Sequence, residues 1–380
     1  MIYLDNSAST LQKPKEVLRA VNEAMTRYTA NPGRSGHKAS LSSAMQIQNC
    51  RSKLKDMFNA ENEQNVIFTD NCSGALNLAI LGTKRKGGHI ICSENDHNSV
   101  LRAVEHLKDT GEIEYDVAFQ GGVGKLTVED VKKHLKPNTY MVICNHISNV
   151  NGDKADIEGI GKFCHEKGLL FLVDGAQSGG HEEIDMQKCH IDYLALAPHK
   201  GFYSMQGLGV LIARNLDALL PIKFGGTGTN SLELRQPLIS PERYEVGTLA
   251  TPNIVALNAG IDFVNYYYHS IREKLDDLTT FLNYSLSSLP VKIYTTPFNS
   301  HGVLAYNISD IHSNEISSYL NDRWGICVRG GYHCAGKKHE GLKTLEQGAV
   351  RVSVSYFNSI SDIQHLVNAT KSFLRKNKML

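Results

Sequence analysis

The chain has 380 residues, 41% hydrophobic and 21% charged, with a formal net charge of +1. That composition fits an ordinary globular enzyme able to bury a large core. A nearly neutral chain carries no electrostatic footprint for nucleic acid or an anionic membrane, so neither is expected as a partner.

The first residues read as a strand, and residues 1–6 lack the basic and apolar regions of a secretion signal. No apolar run approaches the roughly 20 residues that span a bilayer, and a cytoplasmic protein is expected. Residues 88–92 read as a short buried strand, followed by a helix over 98–109. A strand at 140–144 and a helix at 156–167 repeat the pair. Residues 169–174 (LLFLVD) are continuously apolar and end on an acid, the pattern of a parallel strand covered on both faces. Further strands follow at 193–197 and 209–213. This alternation predicts an α/β domain with a mostly parallel sheet. Thr251-Pro252 reads as a helix start with proline at the first helical position. Two helices are expected at 253–269 and 271–289, then strands at 303–308 and 326–329. A helix at 314–324, a strand at 349–353 and a last helix from about Ser361 complete a smaller α+β domain.

Several strand ends carry residues with chemical potential. Lys200, in LALAPHKG, is either a solvated turn lysine or an amine at a sheet's C-terminal edge, where ligands bind in open α/β sheets. Partly desolvated, it would have a lowered pKa and could form a Schiff base. Asp174, in VDGAQ, is either a cap or loop carboxylate, or the partner of a positively charged ring nitrogen. It precedes Lys200 by 26 residues with a strand between, which places the two at adjacent strand ends. His97 follows another strand; beside a flat cofactor its imidazole could stack and shuttle protons. Cys72 and Ser73 stand in a small polar stretch at a helix start, usually a cap, which can also receive a phosphate.

Other features are less specific. The glycines at 224–229 do not fit G-x-G-x-x-G, and those at 121–124 precede no phosphate-binding helix, which argues against nicotinamide binding. The eight cysteines are scattered without a C-x-x-C pair and are not a disulfide framework. Most read as small buried hydrophobes. Cys334 in RGGYHCA (residues 329–335) could be a nucleophile, a ligand or a buried thiol. With Cys327 and His333 it lacks a standard zinc spacing, and no metal is expected.

The order of these pieces resembles the class V aminotransferases of pyridoxal-phosphate fold type I, and within them the cysteine desulfurases. The motifs that carry it are YLDNSAST (3–10), NPGRSGHKAS (31–40), HISNVNG (146–152), VDGAQS (173–178), PHKG (198–201), EVGTLATPN (245–253), RGGYHCA and VRVSVSYFN (350–358). The resemblance implies a large domain at 15–255 with a mostly parallel seven-stranded sheet flanked by helices. Residues 1–14 and 256–380 would form the smaller α+β domain, in a homodimer with the active site across the interface.

Roles follow from the same resemblance. Lys200 would bond the pyridoxal 5'-phosphate aldehyde, Asp174 would pair with the ring nitrogen and Gln177 with the phenolic oxygen. His97 would stack on the ring. Cys72, Ser73 and His199 would reach the phosphate, joined by Thr248 of a second subunit. Asn149 and Arg351 would hold the carboxylate of L-cysteine, a task that suits arginine's planar fork. Cys334 would attack the substrate sulfur, become a persulfide, release alanine and pass sulfur to a protein acceptor. The thiolate is the reactive form, and His333 and the cofactor are candidates to take the proton. The short arginine-led loop is similar to the second, SufS-like group.

The sequence departs from that pattern. Tyr332 replaces a usual first histidine, Ala197 a usual serine, and Cys72-Ser73 a pair of threonines. Lys337-Lys338-His339 reads as a solvated basic run, or as a dock for an acidic acceptor. Selenocysteine lyase, cysteine or cystine lyase, and ordinary aminotransferase share the fold and differ in product. A non-enzymatic pyridoxal-phosphate-binding regulator would carry a DNA-binding domain or lack Lys200, and neither applies.

Overall fold

Apolar runs in this chain become strands wherever both faces can be covered. The computed structural model describes all residues except 33–35, 229–230, 298 and 300. The centre of the 31–40 motif and the last residue of the 224–229 glycine stretch therefore lie outside the described residues. Strand β1 (Ile2–Tyr3) is followed by helices α1 (Lys15–Arg27) and α2 (Lys38–Met57). Then come β2 (Val66–Thr69), α3 (Cys72–Gly82), β3 (Gly88–Ser93), α4 (Asn98–Asp109), β4 (Ile113–Ala118) and α5 (Val128–Lys132). The sequence continues with β5 (Thr139–Asn145), α6 (Ile157–Lys167), β6 (Leu170–Asp174), β7 (Tyr193–Leu196), β8 (Gly209–Ala213) and α7 (Thr251–Ser287). It ends with β9 (Lys292–Ile293), β10 (Val303–Asn307), α8 (Ser313–Trp324), β11 (Ile326–Cys327), α9 (Gly336–Leu342), β12 (Val350–Ser353) and α10 (Ile360–Lys376).

Seven strands form the central sheet in the order β2-β8-β7-β6-β5-β3-β4. Only β8 runs against its neighbours, so the sheet is mostly parallel, as the alternating pattern predicts. Successive side chains leave opposite faces of a strand. Val142, Cys144, Phe171 and Val173 accordingly join one core, and Met141, Ile143, Leu170 and Leu172 the other. Helices cover both faces, and β5 and β6 are buried along their whole length.

A second, antiparallel sheet has the order β12-β10-β9, and β1 pairs in parallel with β11. The strand expected at 326–329 shortens to two residues, with Arg329 forming an isolated antiparallel bridge to Arg351. The two helices expected at 253–269 and 271–289 are one, the 37-residue α7. No glycine or proline lies between 261 and 289 to break it. Ala250 caps α7, so Thr251 is the first helical residue and Pro252 the second, still within the turn that needs no proline N–H. Among the described residues, no helix is long and apolar enough to cross a membrane.

Candidate active site

Asn145, Asp174 and Ala195 stand side by side where β5, β6 and β7 end. Beyond these ends lies a cavity of about 230 Å³, at the sheet edge where α/β folds bind ligands. Lys200, Asp174, His97, Gln177, His199, Cys72, Ser73, Asn149 and Arg351 all line it.

Lys200 sits in a tight turn four residues past β7, its N–H donating to the Ala197 carbonyl at 3.1 Å. Burial lowers its pKa, against the pull of Asp174 and Cys72, and Arg351 and Arg329 lower it further. Asp174 is buried; its carboxylate accepts from the Ala176 N–H at 2.9 Å and from Asn145 Nδ2 at 3.5 Å. The Cys72 thiol lies 4.0 Å from the same carboxylate and is pushed well up by burial, then by Asp174. Gln177 Nε2 donates to the Ser7 carbonyl at 3.0 Å, tying the cavity wall to the N-terminal segment.

His97 caps α4. Its Nδ1 accepts the Ser99 N–H at 3.1 Å, so the neutral ring carries its proton on Nε2. Burial lowers its pKa, with Asp174 opposing. At the start of α3, Asn71 Oδ1 accepts from Gly74 N–H at 2.9 Å, and Ser73 Oγ meets Ser99 Oγ at 2.6 Å. His199 is held neutral, lowered to about 4 by burial and then by Lys200 and Lys13.

Arg351 is buried. Its Nη1 donates to the Asn149 carbonyl at 2.9 Å and its Nη2 pairs with Asp5. Asn149 Nδ2 donates to the His333 carbonyl at 2.7 Å. His333 and Cys334 both have positive φ, 50° and 56°, and Ala335 N–H closes the turn on the Tyr332 carbonyl at 2.9 Å. Two consecutive left-handed non-glycine residues are costly, and such strain concentrates at functional sites. His333 lines the cavity, whereas the half-buried Cys334 is not among the lining residues. His333 Nε2 donates to the Ala349 carbonyl at 3.0 Å, and its pKa is well below the ordinary value because of burial.

Thr248 lies apart from this cavity. It lines a separate depression of about 150 Å³ beside Phe68, Asp70 and Tyr244. Several lining residues escaped the sequence reading as site residues, among them Asn145 at the end of β5, Arg329, visible only as the first letter of the cysteine loop, and Ser99, two positions past His97. The run at 337–339 is corrected. Lys338 and His339 have no exposed surface, and only Lys337 is outside, paired with Glu340 at 2.8 Å. Among the described residues no group of three or more His, Cys, Asp or Glu could hold a metal ion, and the eight cysteines are free.

Several buried polar atoms on the cavity wall have no hydrogen-bond partner among the described residues: Asn145 Oδ1, Asn149 Oδ1, His199 Nδ1, His333 Nδ1 and Arg351 Nε. Buried polar groups are otherwise nearly always paired, so this cluster marks a place for a polar ligand. An aldehyde-reactive amine, a carboxylate and a set of hydroxyl and helix-start donors fit pyridoxal phosphate.

Fold and site together define a cofactor-dependent enzyme of the α/β class. Residues 2–366 match the model of the family described as "Aminotransferase class-V", and the chain belongs to that family, whose enzymes depend on pyridoxal phosphate. It is 32% identical over 375 residues to a "Probable cysteine desulfurase" of Methanothermobacter thermautotrophicus, covering 96% of this chain and 92% of that protein. A protein of the same description from Pyrococcus abyssi is 31% identical, with 99% and 94% covered. Among solved structures, the apo cysteine desulfurase of Thermococcus onnurineus NA1 superposes with a TM-score of 0.92 at 29% identity, over 99% of this chain and 95% of that one.

Proposed function

We propose that this protein is a cysteine desulfurase that converts L-cysteine to L-alanine and transfers the sulfur to Cys334 as a persulfide. The observation that carries this reading is a strained, cysteine-bearing turn whose neighbours His333 and Arg329 form the wall of a cavity holding Lys200, Asp174 and Arg351. Bound pyridoxal phosphate supplies an electron sink that stabilises a carbanion next to the reacting carbon.

The chain's own residues supply the rest. The lowered pKa of Lys200 favours the neutral amine that bonds the cofactor aldehyde. Asp174, fixed by Ala176 N–H and Asn145, holds the ring nitrogen's positive charge. His97, with its proton on Nε2, would cover the ring. Ser73, Ser99, Cys72 and His199 line the cavity and would surround the phosphate end. Arg351 and Asn149 hold the substrate carboxylate, with Arg329 beside them. The Cys334 thiolate attacks the substrate sulfur. The carbon–sulfur bond breaks, its electron pair stays on carbon, and a proton there completes alanine. His333 Nδ1 is unpaired on the cavity wall, but burial holds its pKa well below the ordinary value, so it is a weak acceptor for the thiol proton.

The fold divides at 15–255 against 1–14 and 256–380, and two copies complete one site, Thr248 of one reaching the phosphate of the other. Leu232 and Leu234 are fully exposed, with Phe224, Leu238 and Ile239 nearly so, which supports a second copy covering this segment. The enzyme works in the cytoplasm and hands sulfur to a protein acceptor. The test is product analysis of the yellow holoenzyme with L-cysteine and a reductant. Alanine and sulfide in equal amounts support the reading, whereas pyruvate as the main product moves the protein to the lyases.

A further inference from the structure

Lys338 has no exposed surface, yet it is a lysine. Its ammonium reaches Glu94 Oε1 at 3.2 Å, Asp153 Oδ2 at 3.4 Å and the Gly122 carbonyl. Three donors thus meet three acceptors. Each carboxylate has further donors at one oxygen, while Glu94 Oε2 and Asp153 Oδ1 have no partner among the described residues and burial raises the Asp153 pKa. Asp153 Oδ2 accepts from Gly124 N–H at 2.8 Å and Asn151 Nδ2 at 2.7 Å, and Glu94 Oε1 accepts from Gly122 N–H at 3.3 Å.

The three acceptors come from three loops. Glu94 lies between β3 and His97. Asp153 closes the loop after β5 that carries Asn149. Gly122 belongs to the glycine stretch between β4 and α5. Lys338 itself lies in α9, which begins two residues after Cys334. Packing there leaves no slack. A Cβ on Gly122 would fall 2.9 Å from the Gly341 carbonyl oxygen, and one on Gly341 would fall 2.8 Å from Glu94 Oε2. The turn is held from its other side as well, because Asn98 N–H donates to the Cys334 carbonyl at 2.7 Å.

Stability alone does not call for a charge in this place. A buried ion pair is often no more stable than apolar residues of similar volume, and its best-attested use is to fix one arrangement among several. We propose that Lys338 is a positioning residue for sulfur transfer. The Glu94–Lys338–Asp153 triad locks the Cys334 turn in register with the loops that carry His97 and Asn149. This inference rests on the desulfurase reading.

The test compares Lys338→Met with the wild-type holoenzyme and with Lys337→Met, a surface control. Lys338→Met is expected to slow alanine formation by about 100-fold, the scale of a 1 Å misplacement at a reacting centre. KM for L-cysteine and the cofactor absorbance should change far less than the rate, because Arg351 on β12, Asp174 at the end of β6 and Lys200 after β7 lie outside the loops that the triad ties together. The triple variant Glu94→Gln/Asp153→Asn/Lys338→Met removes the buried charges together and keeps the experiment readable if the single variant fails to fold. Slow turnover in a triple variant of native thermal stability supports positioning. A native rate in either Lys338 variant overturns it. Pyruvate instead of alanine from the wild type overturns the desulfurase reading itself, independently of the variant-to-wild-type ratio.

Discussion

At Lys200 and Arg351 one cavity treats two cations differently. Lys200 is only half-buried, and burial with two nearby arginines moves it toward the neutral amine. Arg351 is also lowered by burial, but its intrinsic pKa is so high that it stays charged, and Asp5 supports the charge. Its Nε is unpaired, leaving a donor for an anion in the cavity. Arg351→Ala is therefore expected to raise KM for L-cysteine by about 100-fold, the scale of one lost charge-assisted bidentate contact, with the cofactor absorbance unchanged. Steady-state kinetics and a spectrum check this; an unchanged KM would place the carboxylate grip elsewhere. Lys200 and Asp174 were legible because each follows an apolar strand. Ser99 was not, since a serine in a helix's first turn is indistinguishable from a cap in sequence. Lys338 was not either, because its acceptors Glu94 and Asp153 lie 244 and 185 residues away along the chain.

Among the elements, β5, β6 and β7 were readable because strands buried on both faces need uninterrupted apolar residues. The edge strand β4 (IEYDVA) was not, because its exposed and half-buried positions carry Glu114 and Asp116. Within the glycine stretch at 121–124, rejected as a nucleotide loop, Gly122 has a packing purpose that only the tertiary structure reveals: it admits α9. Gly122 has φ +104° and its missing Cβ leaves room for the Gly341 carbonyl. Gly122→Ala is expected to destabilise the fold by about 1–3 kcal/mol through strain and overpacking. It should also slow persulfide formation without touching the cavity. A thermal melt and a single-turnover measurement check both effects, and an unchanged turnover rate would separate α9 from the cysteine turn.

For the molecule as a whole, buried histidines dominate the acid response. Burial lowers His146 to about 3 and His339 to about 4, and His333 well below the ordinary value. A folded-state pKa below the unfolded value of about 6.5 means that the unfolded chain binds the proton first. Stability from these groups is complete above about pH 6.5 and is lost as pH falls toward 4, at up to about 1.4 kcal/mol per pH unit for each. Asp96, pushed up to about 8 by burial, acts in the opposite sense, as do Asp153 and Glu245, also raised by burial, but these carboxyls are fewer than the histidines that burial lowers. The melting temperature of the holoenzyme should therefore fall between pH 6.5 and 5; a flat profile would contradict the buried neutral histidines. The chemical outcome is tested most directly at Cys334. The holoenzyme would be mixed with L-cysteine without reductant and the peptide containing Cys334 weighed by mass spectrometry. One added sulfur atom on Cys334, formed together with alanine, is the predicted result. Alanine released with Cys334 unmodified, or equally well by Cys334→Ala, would contradict sulfur transfer to this residue.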